Sequence, residues 1–335
     1  MEILSKVHNH NLVKWARDKP EVVVLSADLT SSTEIDMFRE AYPNRFFSMG
    51  MAEQNMVSFA GGLAREGFYP FIHTFAVFIY RQAYNQIVCS VAYPNLPVRF
   101  FGFLPGITTP GGITHQAIED IAVMRVIPNM TVIEPGDATE IETMLDVIQA
   151  VNGPVYVRML RGEIPRLFPQ EVPFRLDEPR LLSTGSDITV FSSGICTEEA
   201  IRAIKVLKEC GVSIQHVHVS THKPFKNPLI LEGVKKAKYG IITMENHAIL
   251  GGLGTEIAEL MADHGVSKQL IRMGLKDCFA HGASRHYLMK EYGFDSLSLI
   301  KQVETLLGTS FSISEDDLAA VRIEPIHSDA KPEAL

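Results

Sequence analysis

The sequence predicts an α/β protein built from two parallel-sheet domains. Short apolar runs alternate with stretches of helical periodicity, a span rich in proline and charge interrupts them near mid-chain, and the alternation then resumes. A length of 335 residues makes two domains the default expectation. With 46% hydrophobic and 21% charged residues, the chain reads as soluble, globular and able to bury sizeable cores.

Helical periodicity opens the chain at 3–16, and Val22-Val-Val-Leu25 reads as a buried strand followed by a loop at 26–32. Strand-like runs recur at 46–49, 69–72, 98–103, 130–133 and 155–158, with helical stretches at 52–66, 80–91, 115–125 and 138–151. The linker carries Pro169, Pro173 and Pro179, with Pro165 just before it. Beyond it, strands are expected at 188–191, 214–218, 240–244 and around 270–273, and helices at 197–209 and 255–264. The resulting division is a first domain at 1–165, a linker at 166–183, a second domain at 184–311 and a tail at 312–335. The tail has six acids against two bases and carries half of the net charge of −8, as a solvated or partner-covering extension would. No internal repeat of short period is present.

Several function classes are set aside. No basic patch or aromatic–basic interleaving points to nucleic acid. No apolar stretch reaches the ~18–20 residues of a membrane span, and the N-terminus lacks a basic segment followed by an apolar run, so the cytoplasm is the expected location. The four cysteines, Cys89, Cys196, Cys210 and Cys278, have no metal-ligand spacing and read as buried thiols in a reducing compartment.

The chemistry-bearing segments lie where a parallel sheet gathers ligands, at the carboxyl ends of strands. Glu53 sits in Met49-Gly-Met-Ala-Glu-Gln-Asn-Met56 and opens a helix, where an acid complements the helix dipole. An aromatic run follows, Tyr69-Pro-Phe-Ile-His-Thr-Phe-Ala-Val-Phe-Ile-Tyr80, then Gly111-Gly-Ile-Thr-His-Gln116 and Val126-Ile-Pro-Asn-Met-Thr-Val132. In this order the segments resemble the pyrimidine-binding half of a transketolase, over residues 22–160 most tightly. The glycine-rich GDG…N segment that holds the cofactor's diphosphate through a metal in that family has no counterpart here.

The resemblance implies thiamine diphosphate as cofactor, with Mg2+ or Ca2+ held by a separate N-terminal subunit that carries the GDG…N motif, in an α2β2 assembly. It implies transfer of a two-carbon ketol unit between anionic sugars. Glu53 matches the acid that bonds N1′ of the aminopyrimidine, and Phe75 and Phe78 match the Thr-Phe-x-x-Phe slot around that ring. Arg81 stands where transketolases commonly have Tyr, and Asp28 matches an acid near the cofactor. His115 of Thr-His-Gln corresponds to the histidine facing the reacting carbon, and imidazole ordinarily changes charge between about pH 5 and 8.

Arg158, with Ser32, corresponds to a phosphate-binding pair, with Arg161 close by; a guanidinium fork suits a phosphate or sulfonate. His73 replaces a small hydroxyl residue, as either a substrate contact or a filler. Gly111 and Phe103 replace an Asp and a His that contact sugar hydroxyls in the family, which implies an altered donor or acceptor. The second domain contains Glu245-Asn-His-Ala-Ile-Leu-Gly-Gly-Leu-Gly254; it resembles the transketolase C-terminal domain, where such glycines tighten a strand-to-helix turn, and Glu245 and His247 receive no catalytic role. Two rivals remain: a related thiamine enzyme, of the deoxyxylulose-phosphate synthase or another acyloin-forming or decarboxylating kind, and a non-catalytic scaffold paralogue.

Overall fold

The computed structural model of the chain describes residues 2–320. The first half runs β1 (Ile3–Ser5), α1 (Val7–Trp15), β2 (Val22–Ser26), α2 (Asp36–Ala41), β3 (Phe46–Ser48), α3 (Glu53–Arg65), β4 (Tyr69–Phe75), α4 (Ala76–Gln86), β5 (Arg99–Phe103), α5 (Asp120–Arg125), β6 (Thr131–Ile133), α6 (Ala138–Gln149), β7 (Val155–Met159) and β8 (Glu163–Pro165). The second half adds β9 (Arg180–Ser183), β10 (Ile188–Ser192), α7 (Cys196–Glu209), β11 (Ile214–His218), β12 (Thr221–Lys223), α8 (Pro228–Lys236), β13 (Gly240–Ala248), α9 (Leu253–Asp263), β14 (Leu270–Leu275), α10 (Arg285–Glu291), α11 (Ser296–Leu307) and α12 (Glu315–Ala320). Residues 321–335 of the acidic tail lie outside the described residues.

Two mainly parallel sheets result. The first has the order β12-β6-β7-β5-β4-β2-β3 and the second β14-β13-β10-β11-β9. Only the edge strands β12 and β9 run antiparallel to their neighbours in them. The central strands β2, β5, β7 and β10 are buried along their whole length, as parallel strands covered on both faces must be. Among the described residues no helix is long and apolar enough to cross a membrane.

Several local expectations change. Residues 3–5 form a strand that pairs with β8 before α1 begins. The end of the first domain thus contributes β8 to a small ribbon, and the span read as linker contributes β9 to the second sheet. The 80–91 helix begins earlier, at Ala76, and passes into a π-helical segment at Ile87–Ala92. There α3 lies so close that a Cβ on Gly61 would stand 2.7 Å from the Ser90 carbonyl. The 115–125 helix begins only at Asp120, because a 3-10 turn at Gly112–Thr114 intervenes. Cys196 alone is buried, at the start of α7; Cys89, Cys210 and Cys278 are exposed, against the expectation of buried thiols.

The two sheets are joined through buried charge. Strand β12, from the second half, adds to the edge of the first sheet beside β6. Behind it, Arg158 Nε donates to Asp120 Oδ2 (2.7 Å), Nη1 donates to Glu134, and Nη2 donates to the carbonyls of Ala117 (3.1 Å) and Asn246 (3.0 Å). Tyr156 Oη also donates to Asp120 (2.7 Å). Glu134 then meets His222 Nε2 at 3.3 Å, and His222 Nδ1 meets Glu256 at 2.9 Å. A second link joins Glu140 of α6 to Arg180 (2.7 Å) and His218 (3.2 Å).

Burial alone would push the His222 imidazole down, but the Glu256 and Glu134 carboxylates on its two nitrogens outweigh burial and hold it up at about 10. A group held above its ordinary value of 6.5 stabilises the fold fully below that value and loses the contribution as pH rises through about 10. The difference in melting temperature between the wild-type protein and His222→Gln is therefore expected to be largest near pH 6 and to shrink steadily toward pH 10. Thermal scans across that range check it; a difference independent of pH would contradict the assignment.

Candidate functional site

Parallel register brings the ends of β2, β3, β4, β5 and β7 to one edge of the first sheet. Each loop leaving that edge carries one or more of the singled-out residues. Glu53 is the first residue of α3, whose N-cap Ala52 offers no side-chain bond. It is half-buried and makes no hydrogen bond or ion pair among the described residues. Helix α3 packs on β4 and α4, so its N-terminus lies on the same edge as the start of α4.

Phe75 ends β4 and Phe78 lies in the first turn of α4. Their rings lie 5.7 Å apart with planes at 29°. His115 closes the group, with its imidazole 5.9 Å from Phe75 and 5.6 Å from Phe78, edge-on to both. Its Nδ1 lies 2.8 Å from Thr114 Oγ1. Phe75 is buried, whereas Phe78 and His115 are half-buried, so the three rings form an aromatic cluster that is partly open to solvent. A carboxylate, two phenyl faces and an imidazole at one edge can hold a flat heteroaromatic ring and exchange a proton beside it.

Arg81, expected at the cofactor, serves another purpose. Its Nε and Nη2 form a fork on Glu119 at 2.9 Å each, Nη1 donates to the Ile113 carbonyl at 2.8 Å, and Nη2 reaches the Gln116 carbonyl at 3.3 Å. Four of the five guanidinium N–H groups are thus spent on the loop on either side of His115, which leaves one Nη1 hydrogen uncommitted.

Arg158 is corrected more sharply. It is fully buried in the network between the sheets, with all three nitrogens engaged, so it is closed to a ligand's phosphate. The arginine beside Ser32 is Arg161: its Nη1 donates to the Ser32 carbonyl at 2.9 Å, and both residues are half-buried. The same turn is tied by the buried Glu34, which accepts from the Gly162 amide at 2.7 Å and whose carboxyl burial raises to about 7.

His73 and Phe103 also move from the site to the core. Both are fully buried. The His73 ring stacks on Phe101 at 4.6 Å and 5°, and its Nε2 meets His8 Nε2 at 2.9 Å. Burial holds His8 down at about 3 and His73 well below its ordinary range, so both are neutral fillers. Phe103 lies edge-on to His8 at 5.8 Å, in the same layer. Its side chain therefore replaces no substrate contact, because β5 turns it into the core. Gly111 is exposed on the His115 loop, and a Cβ added there would stand 2.9 Å from His115 Cβ and Cγ. Asp28 is exposed just beyond β2 with a left-handed backbone (φ 63), a conformation Asp tolerates better than most residues.

Glu119, Asp120, Glu34 and Asn246 were not singled out from the sequence. An acid three residues after Thr-His-Gln was the available signal for Glu119, since an exposed arginine near a loop needs such a partner. Glu245, by contrast, is as structural as expected: its carboxylate accepts the Leu253 (2.7 Å) and Gly254 (2.9 Å) amides at the start of α9. A Cβ on Gly252 would stand 2.0 Å from that carboxylate, which accounts for a glycine there.

Comparison with known proteins agrees with this geometry. The transketolase pyrimidine binding domain matches residues 4–166, and the transketolase C-terminal domain matches residues 178–299. A Methanocaldococcus jannaschii protein named as a transketolase C-terminal section is 38% identical over 90% of this chain and 95% of its own length. The 6-deoxy-6-sulfo-D-fructose transketolase subunit SqwH of Clostridium sp. strain MSTE9 is 35% identical over 87% of this chain and 90% of its own length. A solved structure described as a split gene transketolase in an inactive beta4 tetramer superposes with a TM-score of 0.83 at 34% identity, covering 91% of this chain and 98% of the other. The chain therefore belongs to the transketolase family, of which it carries the pyrimidine-binding and C-terminal domains.

Proposed function

We propose that this chain is the C-terminal subunit of a two-subunit transketolase, which moves a two-carbon ketol unit from a ketose phosphate or sulfonate to an aldose acceptor. The observation that carries the reading is the convergence of Phe75, Phe78 and His115 at the sheet edge where Glu53 opens α3. The residues fit thiamine diphosphate: Glu53 is a carboxylate with no side-chain partner among the described residues, and the two phenyl faces offer a slot for a flat ring. When bound, the cofactor supplies a nucleophilic carbon that accepts and passes on the two-carbon unit.

The chain's own residues have distinct tasks in this reading. Phe75 and Phe78 line the aminopyrimidine and keep water from it. Glu53 bonds the ring nitrogen and favours the tautomer able to act as base. His115 gives or takes the proton of the substrate hydroxyl. Arg161, with Ser32, anchors the far anion, a place first assigned to Arg158. A phosphate and a sulfonate present similar oxygens to a guanidinium, and one relative is named for a sulfonated sugar. Arg81 and Glu119 hold the His115 loop. The diphosphate and its Mg2+ or Ca2+ fall to an N-terminal partner subunit in a cytoplasmic α2β2 assembly. Gly111 lies against His115, so an aspartate there requires the imidazole to shift by a few tenths of an ångström.

The deciding experiment is reconstitution. The purified chain alone is expected to transfer no ketol unit and to bind thiamine diphosphate weakly; mixed with a GDG…N partner subunit, Mg2+ and a panel of sugar phosphates and sulfonates, it is expected to be active. Ketol transfer by the single chain would overturn the split assignment.

In the reconstituted enzyme, Glu53→Gln is expected to slow exchange of the cofactor's C2 proton with deuterated water by orders of magnitude, with an unchanged melting temperature. Unaltered exchange would remove Glu53 from the site.

The two arginines are expected to separate cleanly. Arg161→Ala should raise KM for the anionic substrate about tenfold or more with a smaller effect on kcat, as loss of uniform binding does. Arg158→Ala should instead cost about 3–5 kcal/mol of stability, because Asp120 and Glu134 are left buried without their cation. Steady-state kinetics and denaturant titration distinguish them; a folded Arg158→Ala enzyme with only a KM defect would restore the original assignment.

A further inference from the structure

The loop that carries His115 is held in place by the second sheet. It leaves β5 through two left-handed residues, Leu104 (φ 56) and Gly106 (φ 58). A leucine in that region is strained and persists only where its surroundings determine the backbone. On one side they do so through the first sheet's own chain: the Gly106 amide donates to the Ala117 carbonyl at 2.8 Å, which closes the base of the loop.

On the other side stands Asn246, buried on β13. Its Nδ2 donates to the Pro105 carbonyl at 2.9 Å, and its Oδ1 accepts from the Ile107 amide at 2.9 Å. The orientation of the side-chain amide is unambiguous, because a carbonyl only accepts and a backbone amide only donates. One short side chain thus satisfies a buried acceptor and a buried donor on either side of Gly106. A Cβ on Gly106 would stand 2.1 Å from Asn246 Oδ1, so the glycine admits the clamp. The backbone of Asn246 is itself fixed, since its carbonyl accepts from Arg158 Nη2 at 3.0 Å. Further along the loop, Gln116 Nε2 reaches the His281 carbonyl at 3.3 Å, and Gly282 lies against the Pro110 carbonyl.

We propose that Asn246 is a positioning residue for the reaction: from the C-terminal domain it clamps the Leu104–Ile107 turn and so sets where His115 stands against the Phe75–Phe78 slot. This rests on the reading of His115 as the group that faces the substrate. Asparagine is the residue type required. Asp turns an acceptor toward the Pro105 carbonyl, and Ala leaves both backbone groups unpaired in the interior.

The test uses Asn246→Ala and Asn246→Asp, each as the full chain alone and in the reconstituted two-subunit enzyme. In the chain alone, hydrogen–deuterium exchange followed by mass spectrometry is expected to show exchange in peptides covering 104–117 at least tenfold faster in both variants, with β10 and β11 unchanged. In the reconstituted enzyme, kcat is expected to fall about 10- to 100-fold while KM for the anionic substrate stays within about threefold, because the Arg161–Ser32 anchor is untouched. Unchanged exchange in 104–117 overturns the clamp. Faster exchange there with wild-type kcat overturns its role in the reaction, as does loss of protection throughout the second sheet with a matching fall in melting temperature. His115→Ala serves as the control for the underlying reading. If it retains wild-type kcat, the assignment of His115 fails, while the exchange data still decide whether Asn246 holds the loop.

Discussion

Arg158 enters the interior charged, because a guanidinium keeps its proton in proteins and an ion of that size costs several kcal/mol to remove from water. Everything around it is arranged to meet that demand. Asp120 and Glu134 supply charge; the Ala117 and Asn246 carbonyls take further hydrogens; Tyr156 shares Asp120. These groups come from α5, the end of β6, the His115 loop and β13. The requirement to neutralise one cation therefore couples the carboxyl edge of the first sheet to the second sheet, and His222 and Glu256 extend the coupling. A packed apolar interface of the same size is able to hold two domains together, but it lacks the directionality that fixes a loop to within a hydrogen bond.

That directionality matters because the site is assembled from loops. Five neighbouring strands each end at the same edge, and each contributes a segment too short to define its own conformation. The aromatic pair is the best-determined part, since Phe75 still belongs to β4 and Phe78 is one turn into a helix. His115 is the least determined, on a loop of its own beyond Gly111 and Gly112. It is held by Arg81 of α4, which grips Glu119 at the start of α5, and from behind by Asn246 of β13 and the His281 carbonyl. In the proposed role of His115, a proton-transfer group placed a fraction of an ångström off its line loses much of its effect, so the support belongs to that proposal.

Beneath the site lies a layer in which polar residue types act as packing. His8, His73, Phe101 and Phe103 form one stack of rings, and burial keeps the two imidazoles neutral. A histidine on a strand next to a binding edge invites a functional reading. What packs on the ring decides the matter: His73 and Phe103 are covered by the His8 ring of α1, whereas Phe75, on the same side of β4, meets Phe78 and His115.

Much of this was legible in the chain itself. Apolar runs of four to six residues placed the parallel strands of both sheets, because a strand covered on both faces admits little else, but not the antiparallel edge strands β9 and β12. Helical periodicity placed α3 and α6, and the order of Glu53, the Phe75–Phe78 pair and Thr-His-Gln marked the site. What the sequence leaves open is which side chains meet across long separations. Arg158 and Arg161 lie three residues apart and look alike as phosphate ligands. One lies inside a buried strand and meets acids 38 and 24 residues away, while the other lies past the strand's end beside Ser32. No local pattern records those distances. Likewise Asn246 reads as one residue of a glycine-rich turn until β13 carries it 141 residues back along the chain to Pro105. Periodicity is a local property and specifies elements; burial and pairing are properties of the packed whole, so only the tertiary structure decided which of the singled-out residues gather at the open edge of the sheet and which are buried in the fold.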